Sequence, residues 1–450
     1  MSQTLPPGPR YPSLIQGIGF WTRSLPFFER ARARYGGRFT FRFPLSPPFV
    51  HHTDPEHIKE IYTAPPDVLH PGRGARVLMP LVGKHSVILL DEDTHMEQRK
   101  LMLPAFRGER MERLSDLVQA VTEDELSGWQ DQETELHPRF QALTLEIILR
   151  AVFGFEPGPR LDKLRVSLAA LLAYGDSPLT LISPPHDAAA MERSEEAFNR
   201  FGPLKGFLDR RREVDAILAD EIAERRDADD EDAGDVLSML LAARHEDGSP
   251  MSAQELRDEL MTLLVAGHET TASSLAWLYS RIAHEPRVLA ELRRDADSEG
   301  ESGPYVTATI QETLRRRPVL PVTAPRFVNK PISVGGWHYD SEVCLVANAY
   351  LVHHDAAIYP DPYEFRPERF LEEKPGTYTW IPFGGGRRRC LGSSFALLEM
   401  RIVVAEIARR FEIKPASPGP ELARRRNITI YPGSGARVAL RARERVAVPA

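Results

Sequence analysis

One of the two cysteines in this 450-residue chain has an unusual setting. Cys390 ends the run Phe383-Gly-Gly-Gly-Arg-Arg-Arg-Cys and is followed by Leu391, Gly392 and a helical pattern. Nearby guanidinium groups and a helix N-terminus both favour thiolate over thiol. Glycines let backbone N–H groups approach the sulfur closely. A thiolate held in this way is a nucleophile or a metal ligand. The nucleophile reading needs a His and a carboxylate brought up by the fold, and the sequence leaves it open. Cys344, in an alternating Val-Cys-Leu-Val run, reads as a small core residue.

Three more stretches carry polar groups at spacings that matter. Ala266-Gly-His-Glu-Thr-Thr271 lies within an otherwise apolar helical pattern. Ala266 and Gly267 leave room beside that helix for something bulky. Buried Glu269 and Thr270 need partners, and a threonine there can divert a hydrogen bond from the helix ladder. The plain alternative is a surface or capping glutamate. Glu312 and Arg315 are three apart, which on most helices makes a weak surface ion pair. Phe365-Arg-Pro-Glu-Arg369-Phe follows. His95 and Arg99, four apart, share a helix face, and charge-assisted bonds from such groups suit carboxylates.

Taken in order, these stretches resemble the cytochrome P-450 superfamily, the haem-thiolate monooxygenases. Phe383, Gly386, Arg388, Cys390 and Gly392 match the signature Phe-x-x-Gly-x-Arg-x-Cys-x-Gly. Chance gives those five types in a chain this long with a probability on the order of 10⁻⁴. The resemblance spans about residues 35–432. It implies that Cys390 is the iron ligand of haem b (iron protoporphyrin IX). It implies that Ala266 and Gly267 border the haem and that Glu269 and Thr270 relay protons to the dioxygen being activated. His95, Arg99, Arg326 and Arg388 would hold the propionates, with Phe383 and Gly392 shaping the cysteine loop. Glu312, Arg315 and Arg369 would form a structural triad.

The elements that must position these residues are mostly helical. Residues 1–25 are Pro/Gly-rich and read as an extended segment, followed by a helix from Pro26 to Tyr35. Arg38 to Phe43 alternates as a half-buried strand should. Asp54-Pro55 opens a helix with Ile58, Ile61 and Tyr62 on one face. Residues 64–90 form a long apolar loop, of the kind that often lines a site. Residues 92–154 read as successive helices. Val214, Ile217, Leu218 and Ile222 make an apolar stripe. The charged run from Arg225 to Asp235 reads as a solvated linker. Ser252-Ala-Gln-Glu255 is a capping box opening a helix over 253–284, ~48 Å at 1.5 Å per residue. Short strands are expected around 320–350 and 426–440, with a last helix from Gly392 to Phe411.

Composition narrows the function. The charge is 57 basic against 64 acidic residues, or −7, which argues against a general nucleic-acid binder. Two cysteines exclude a disulfide scaffold, a four-cysteine zinc site and an iron–sulfur domain. No run reaches the ~18 apolar residues that span a bilayer, and no signal or anchor segment is evident.

The expectation is one domain over 1–450, mainly α with small β-sheets, with haem between a long central helix and the cysteine loop. A soluble cytoplasmic monomer of bacterial type is expected. It would insert one atom of O2 into an apolar lipid, terpenoid, steroid or macrocycle, by hydroxylation or epoxidation. A separate ferredoxin or flavodoxin, with its NAD(P)H reductase, would supply electrons. Among the basic residues expected on the cysteine side, Arg99 would point inward to a propionate, and Lys100, Arg107, Arg110, Arg113, Arg387 and Arg389 would attract that acidic partner. Peroxide-driven oxidation and a non-catalytic haem sensor are the competing readings. Expected pocket walls are Val77, Leu78, Met79, Leu81 and Val82, residues 175–186, Leu263 and Val265, Val319, Leu320 and Val322, and Ile428 and Thr429. Arg73 and Arg76 read as surface residues.

Overall fold

The computed structural model describes residues 5–154, 158–173, 205–227, 234–298, 303–340, 342–419 and 421–443. Helices dominate, as expected. Strands β1 (Arg38–Phe41), β2 (Phe49–His52), β3 (Leu69–His70), β5 (Arg326–Val328) and β8 (Cys344–Ala347) form one sheet in the order β1-β2-β8-β5-β3. Only β2 and β8 pair in parallel there. Strand β4 (Gln132–Glu135) joins β12 (Arg437–Ala442) and β9 (Phe411–Pro415) in a three-stranded sheet. Two hairpins complete the set: β6 (Ile332–Val334) with β7 (Trp337–Tyr339), and β10 (Ala423–Arg426) with β11 (Thr429–Pro432).

The central helix, Ala253–Ile282, starts with the complete capping box. Ser252 Oγ accepts from Glu255 N–H at 3.2 Å and Glu255 Oε2 from Ser252 N–H at 2.7 Å. This helix packs along Leu136–Phe153 and against Ser393–Arg410. Its first turns carry polar groups that fasten the apolar loop. Asp258 accepts from His85 N–H at 2.9 Å, Glu259 from Val87 N–H at 2.7 Å, and Thr262 Oγ1 donates to Ser86 at 2.7 Å. Burial pushes the Glu259 carboxyl up to about 8, so it is largely neutral at pH 7. The helix Pro55–Thr63 begins as its residues dictate, with Asp54 accepting from Glu56 N–H at 2.8 Å and Ile58, Ile61 and Tyr62 buried. Val214, Ile217, Leu218 and Ile222 are buried on the helix Lys205–Asp227.

Four expectations change. Residues 1–25 are not all extended, because Ser13–Thr22 is a helix and another runs from Ser24 to Tyr35. Leu14, Ile15 and Ile18 face solvent, so no inward apolar stripe marked it. Its anchor is buried Gln16, which donates to Tyr11 O at 2.9 Å and accepts from Arg42 N–H at 3.0 Å. In β1 the alternation fails because Thr40 is buried too, covered by Pro6 and Pro7, whose carbonyls take its hydroxyl and N–H. Helices alone do not fill 92–154, since β4 pairs with β12, some three hundred positions away. Arg225 and Asp235, at the ends of the charged run, are not solvated. They pair at 2.6 Å, and Asp235 caps the helix Val236–Ala242.

Buried histidines make the fold acid-sensitive. Burial pulls His51 and His353 down to about 3 and His268 to about 4, and holds His52 and His354 well below the usual imidazole range. Below about pH 6.5 the unfolded chain binds protons that the folded chain refuses, so stability falls with pH. Glu259 and Glu399, whose pKa values burial raises, act in the opposite sense above about pH 4.5, but five histidines outweigh two carboxyls. The urea midpoint is therefore expected to drop between pH 7 and pH 5. An equal or higher midpoint at pH 5 would contradict this assignment of charge.

Candidate functional site

The cysteine loop is shaped by its glycines. Gly384 and Gly386 have φ of 67° and 62°, which L side chains adopt at a cost. A Cβ on Gly385 would stand 2.3 Å from the Tyr62 ring, and one on Gly386 2.3 Å from Tyr62 O. The glycines thus let the loop turn and press on the helix Pro55–Thr63. Cys390 N–H closes the loop onto Phe383 O at 3.0 Å, and the helix Ser393–Arg410 follows with Gly392 at its N-cap. The Cys390 side chain is accessible although protein crowds around it. Burial raises its pKa; the Gly392 N–H, Arg99 and Arg389 favour the thiolate without fully offsetting that. The cationic setting read from sequence is present, but a coordinated cation is needed to complete it. Cys344 is buried in β8, and burial pushes its thiol up to about 12.

Ala266 is exposed in the middle of a helix whose neighbours Leu263, Leu264, His268 and Thr271 are buried. A gap therefore opens on this face of the central helix. Thr270 borders it, with its hydroxyl donating to Ala266 O at 2.6 Å. Gly267 serves a different purpose from the one expected. A Cβ there would meet Ile148 Cδ1 at 3.0 Å, so its small size serves packing against Leu136–Phe153. Glu269 is fully engaged. Its Oε2 accepts from Gln141 at 2.7 Å and Arg426 at 3.0 Å, and its Oε1 from Ser273 at 2.9 Å, with His137 Nε2 3.4 Å away. Burial acts to raise its pKa, but His137, Arg426 and His268 bring it down to about 2.

Basic groups converge nearby. Burial and then the charges of Arg388, Arg99 and Arg326 depress buried His95 to about 3. Arg388 donates to Asp91 at 2.8 Å and to the carbonyls of Val87 and Leu90. Arg326 donates weakly to Gly385 O at 3.3 Å, and its buried Nε has no partner. Arg388 and Arg326 thus share one described carboxylate, Asp91, while Arg99 adds a further positive charge beside His95 and Arg388. Asp91 was not singled out by the sequence, where it reads as an ordinary helix-start residue. Its Oδ1 also accepts from Gly72 N–H at 2.7 Å and its Oδ2 from Arg73 N–H at 2.9 Å. The orphaned Arg326 Nε and the surplus positive charge suit a dianionic group.

Glu312, Arg315 and Arg369 come together in the interior, with side chains 0%, 0% and 8% exposed, unlike a surface pair. Glu312 accepts from Arg315 at 2.7 and 2.8 Å and from Arg366 N–H at 2.9 Å, and Arg369 Nε lies 3.2 Å away. His353 was missed, being one histidine in an unremarked turn. Arg315 O can only accept, so His353 Nδ1 carries the proton and donates at 3.1 Å. Nε2 then accepts from Ile381 N–H at 2.9 Å, just before the cysteine loop.

The expected pocket walls divide. Val77, Met79, Leu81, Val265, Leu320, Val322 and Ile428 keep partial exposure. Leu78, Val82, Leu263, Val319 and Thr429 are buried, as an open wall would not be. Thr429 Oγ1 turns back to Arg426 O at 2.8 Å. Residues 175–186 lie outside the described residues. Arg73 is no solvated surface residue, since it stacks on the Phe327 ring at 3.8 Å. Lys100 is exposed but paired with Glu246 at 2.9 Å.

The Cytochrome P450 family profile matches residues 6–431. The chain belongs to the cytochrome P450 family. Two Mycobacterium tuberculosis proteins named as cytochromes P450 are similar to it along nearly their whole length. The one called 135B1 is 36% identical, covering 98% of this chain and 92% of its own. The one called 135A1 is 38% identical, covering 97% and 95%. Among solved structures, retinoic acid-bound cyanobacterial CYP120A1 shares the fold at a TM-score of 0.83 and 22% identity, covering 98% of this chain and 100% of that one. This P450 is a haem-thiolate monooxygenase, an oxidoreductase whose cofactor is haem b. Among the described residues, no helix is long and apolar enough to cross a membrane.

Breaking a buried ion pair by removing one partner's charge typically costs about 3–5 kcal/mol. Glu312→Gln is therefore expected to give P450 with sharply reduced haem per chain and a lower Tm. Haem content and Tm equal to wild type would show that the cluster does not support the loop.

Proposed function

We propose that this P450 oxidises an apolar organic molecule held against Ala266, by hydroxylation or epoxidation. The observation that carries this is an accessible Ala266 among buried neighbours on the central helix, together with an accessible Cys390 just ahead of the helix Ser393–Arg410, which packs against that central helix. Cys390 would ligate the haem iron, and Arg99, His95, Arg326 and Arg388 would hold the propionates. When bound, the haem supplies dioxygen activation, with thiolate donation favouring O–O cleavage.

The chain's own residues do the rest. Arg326 gives its unpartnered Nε to a carboxylate, and Arg388 exchanges part of its bonding with Asp91 for the same purpose. The Thr270 hydroxyl, which donates to Ala266 O, turns to hold and pass a proton on the Ala266 side. Glu269 replenishes that proton. Apolar side chains at Val77, Met79, Leu81, Val265, Leu320, Val322 and Ile428 orient substrate and exclude water. Electrons arrive from a ferredoxin or flavodoxin, attracted by exposed Arg107, Arg113, Arg387 and Arg389. The chain works as a cytoplasmic monomer.

Two measurements test this reading. The reduced, carbon-monoxide-bound protein is expected to show the far red-shifted Soret band of thiolate haem, lost in Cys390→Ala and kept in Cys344→Ala. A normal band in Cys390→Ala would move the ligand elsewhere. Thr270→Ala is expected to consume NADPH while releasing peroxide in place of product. Loss of a positioned proton donor costs ~10²–10⁴ in the step it serves. Unchanged product per NADPH would remove Thr270 from the relay.

A further inference from the structure

Arg425 stands on β10, directly across from Ile430. Successive side chains of a strand face opposite ways. Arg426 turns to Glu269, so Arg425 turns to the other face, where the Phe20 ring lies 4.3 Å from its guanidinium. Its Nη1 makes only long contacts, 3.4 Å to Ile428 O and 3.5 Å to Asn427 O. Its Nε and Nη2 are buried and have no partner. Burial alone lowers its pKa, to about 10, with no contribution from a neighbouring charge, so the group stays cationic at pH 7. Other inward arginines have carboxylates: Arg257 donates to Asp215 at 2.7 Å, Arg225 to Asp235 at 2.6 Å and Arg315 to Glu312 at 2.7 Å.

The two orphaned nitrogens lie on one edge of the guanidinium. That edge offers two parallel N–H donors at the spacing of a carboxylate's two oxygens. An unpaired buried charge is costly, and a carboxylate seated on the edge would remove the cost. The edge adjoins the proposed pocket. Nη1 rests on the carbonyl of Ile428, and Val322 packs in one apolar cluster with Phe20 and Phe43. Both Ile428 and Val322 are walls that keep partial exposure. A ligand lying between them has an apolar body, with its anionic head at Arg425. Nε and Nη2 are closed to water, so an entering acid displaces the Phe20 ring to reach them. That ring rides on the helix Ser13–Thr22, whose Leu14, Ile15 and Ile18 already face solvent.

We propose that Arg425 anchors a carboxylate carried by the substrate, so that this P450 prefers apolar acids over neutral molecules of the same shape. This rests on the reading that an apolar molecule is held against Ala266 between these walls. The anchor adds to that reading the chemistry of the far end of the molecule.

Ligand-induced Soret shifts of the ferric holoenzyme test it, with palmitate against methyl palmitate and abietate against methyl abietate. In wild type an acid is expected to bind about tenfold tighter than its ester, or more, the scale of a hydrogen bond to a charged group. Arg425→Met and Arg425→Gln are expected to lose that preference while keeping ester affinity and haem content. A second readout needs no ligand. Replacing an unpaired buried charge by an apolar side chain of similar length is neutral or stabilising, so the Tm of Arg425→Met is expected to equal or exceed that of wild type. A clearly lower Tm would overturn the anchor, because the fold would already satisfy the guanidinium. So would equal binding of acid and ester in wild type, a preference that survives in both variants, or no shift from either acid. Shifts from the esters alone would overturn the anchor and leave the apolar pocket standing. No shift from the esters either would strike the pocket reading as well, a separate result.

Discussion

A carboxylate without exposed surface, Glu312, governs much of the site's geometry. It accepts from Arg315, lies against Arg369 and takes the N–H of Arg366. Arg315 spends its other donors on the carbonyls of His353, Pro362 and Glu364. His353 in turn holds Ile381, and two residues later the cysteine loop begins. Each link is a buried polar group whose loss would strand its partner, and the penalty for stranding exceeds the gain from any one bond. The loop is therefore held in one place by groups that lie outside it.

The second constraint is charge. Arg99, Arg326 and Arg388 crowd around His95, with Asp91 as the described counter-ion of Arg388 and Arg326. Burial, with repulsion from Arg326 and Arg99, lowers the pKa of Arg388 to about 10, and burial depresses that of Arg326, which is the cost of assembling such a cluster before its ligand arrives. In the proposed reading, haem propionates would relieve that cost. The same holds for the sulfur: Arg99, Arg389 and the Gly392 N–H favour a thiolate that burial opposes. Protein and cofactor are thus electrostatically complementary, and folding and haem binding are expected to reinforce each other.

The central helix serves both sides of the site. Its first turns hold the 83–88 segment through Asp258, Glu259 and Thr262. Its middle offers Ala266 and Thr270 to the open face, while Gly267 and Glu269 turn toward Leu136–Phe153 and the hairpin. One turn of helix thereby joins the reaction face to two elements that frame the pocket.

Sequence alone determined a good deal. The residue types and spacing around Cys390 carried the family resemblance, because few residue types fit a tight, cationic turn before a helix. The capping box placed the start of the central helix, and Asp54 with Pro55 placed another, because caps are local chemistry. Triad members were legible as types at fixed spacing, but not as buried groups. The tertiary structure decided what depends on distant partners. Burial turned Glu312 and Arg315 from an ordinary i,i+3 pair into an interior cluster. Contact with Ile148 showed why residue 267 is glycine. Strand β4 exists because β12 pairs with it from the far end of the chain. Asp91 and His353 were silent because nothing in their neighbours' identities shows what they bond. Glu269 was read as an acid beside a threonine, and only packing revealed Arg426 and Gln141 on its carboxylate. A sequence specifies groups and local geometry; which groups share a dielectric and a counter-ion is set when separate segments pack.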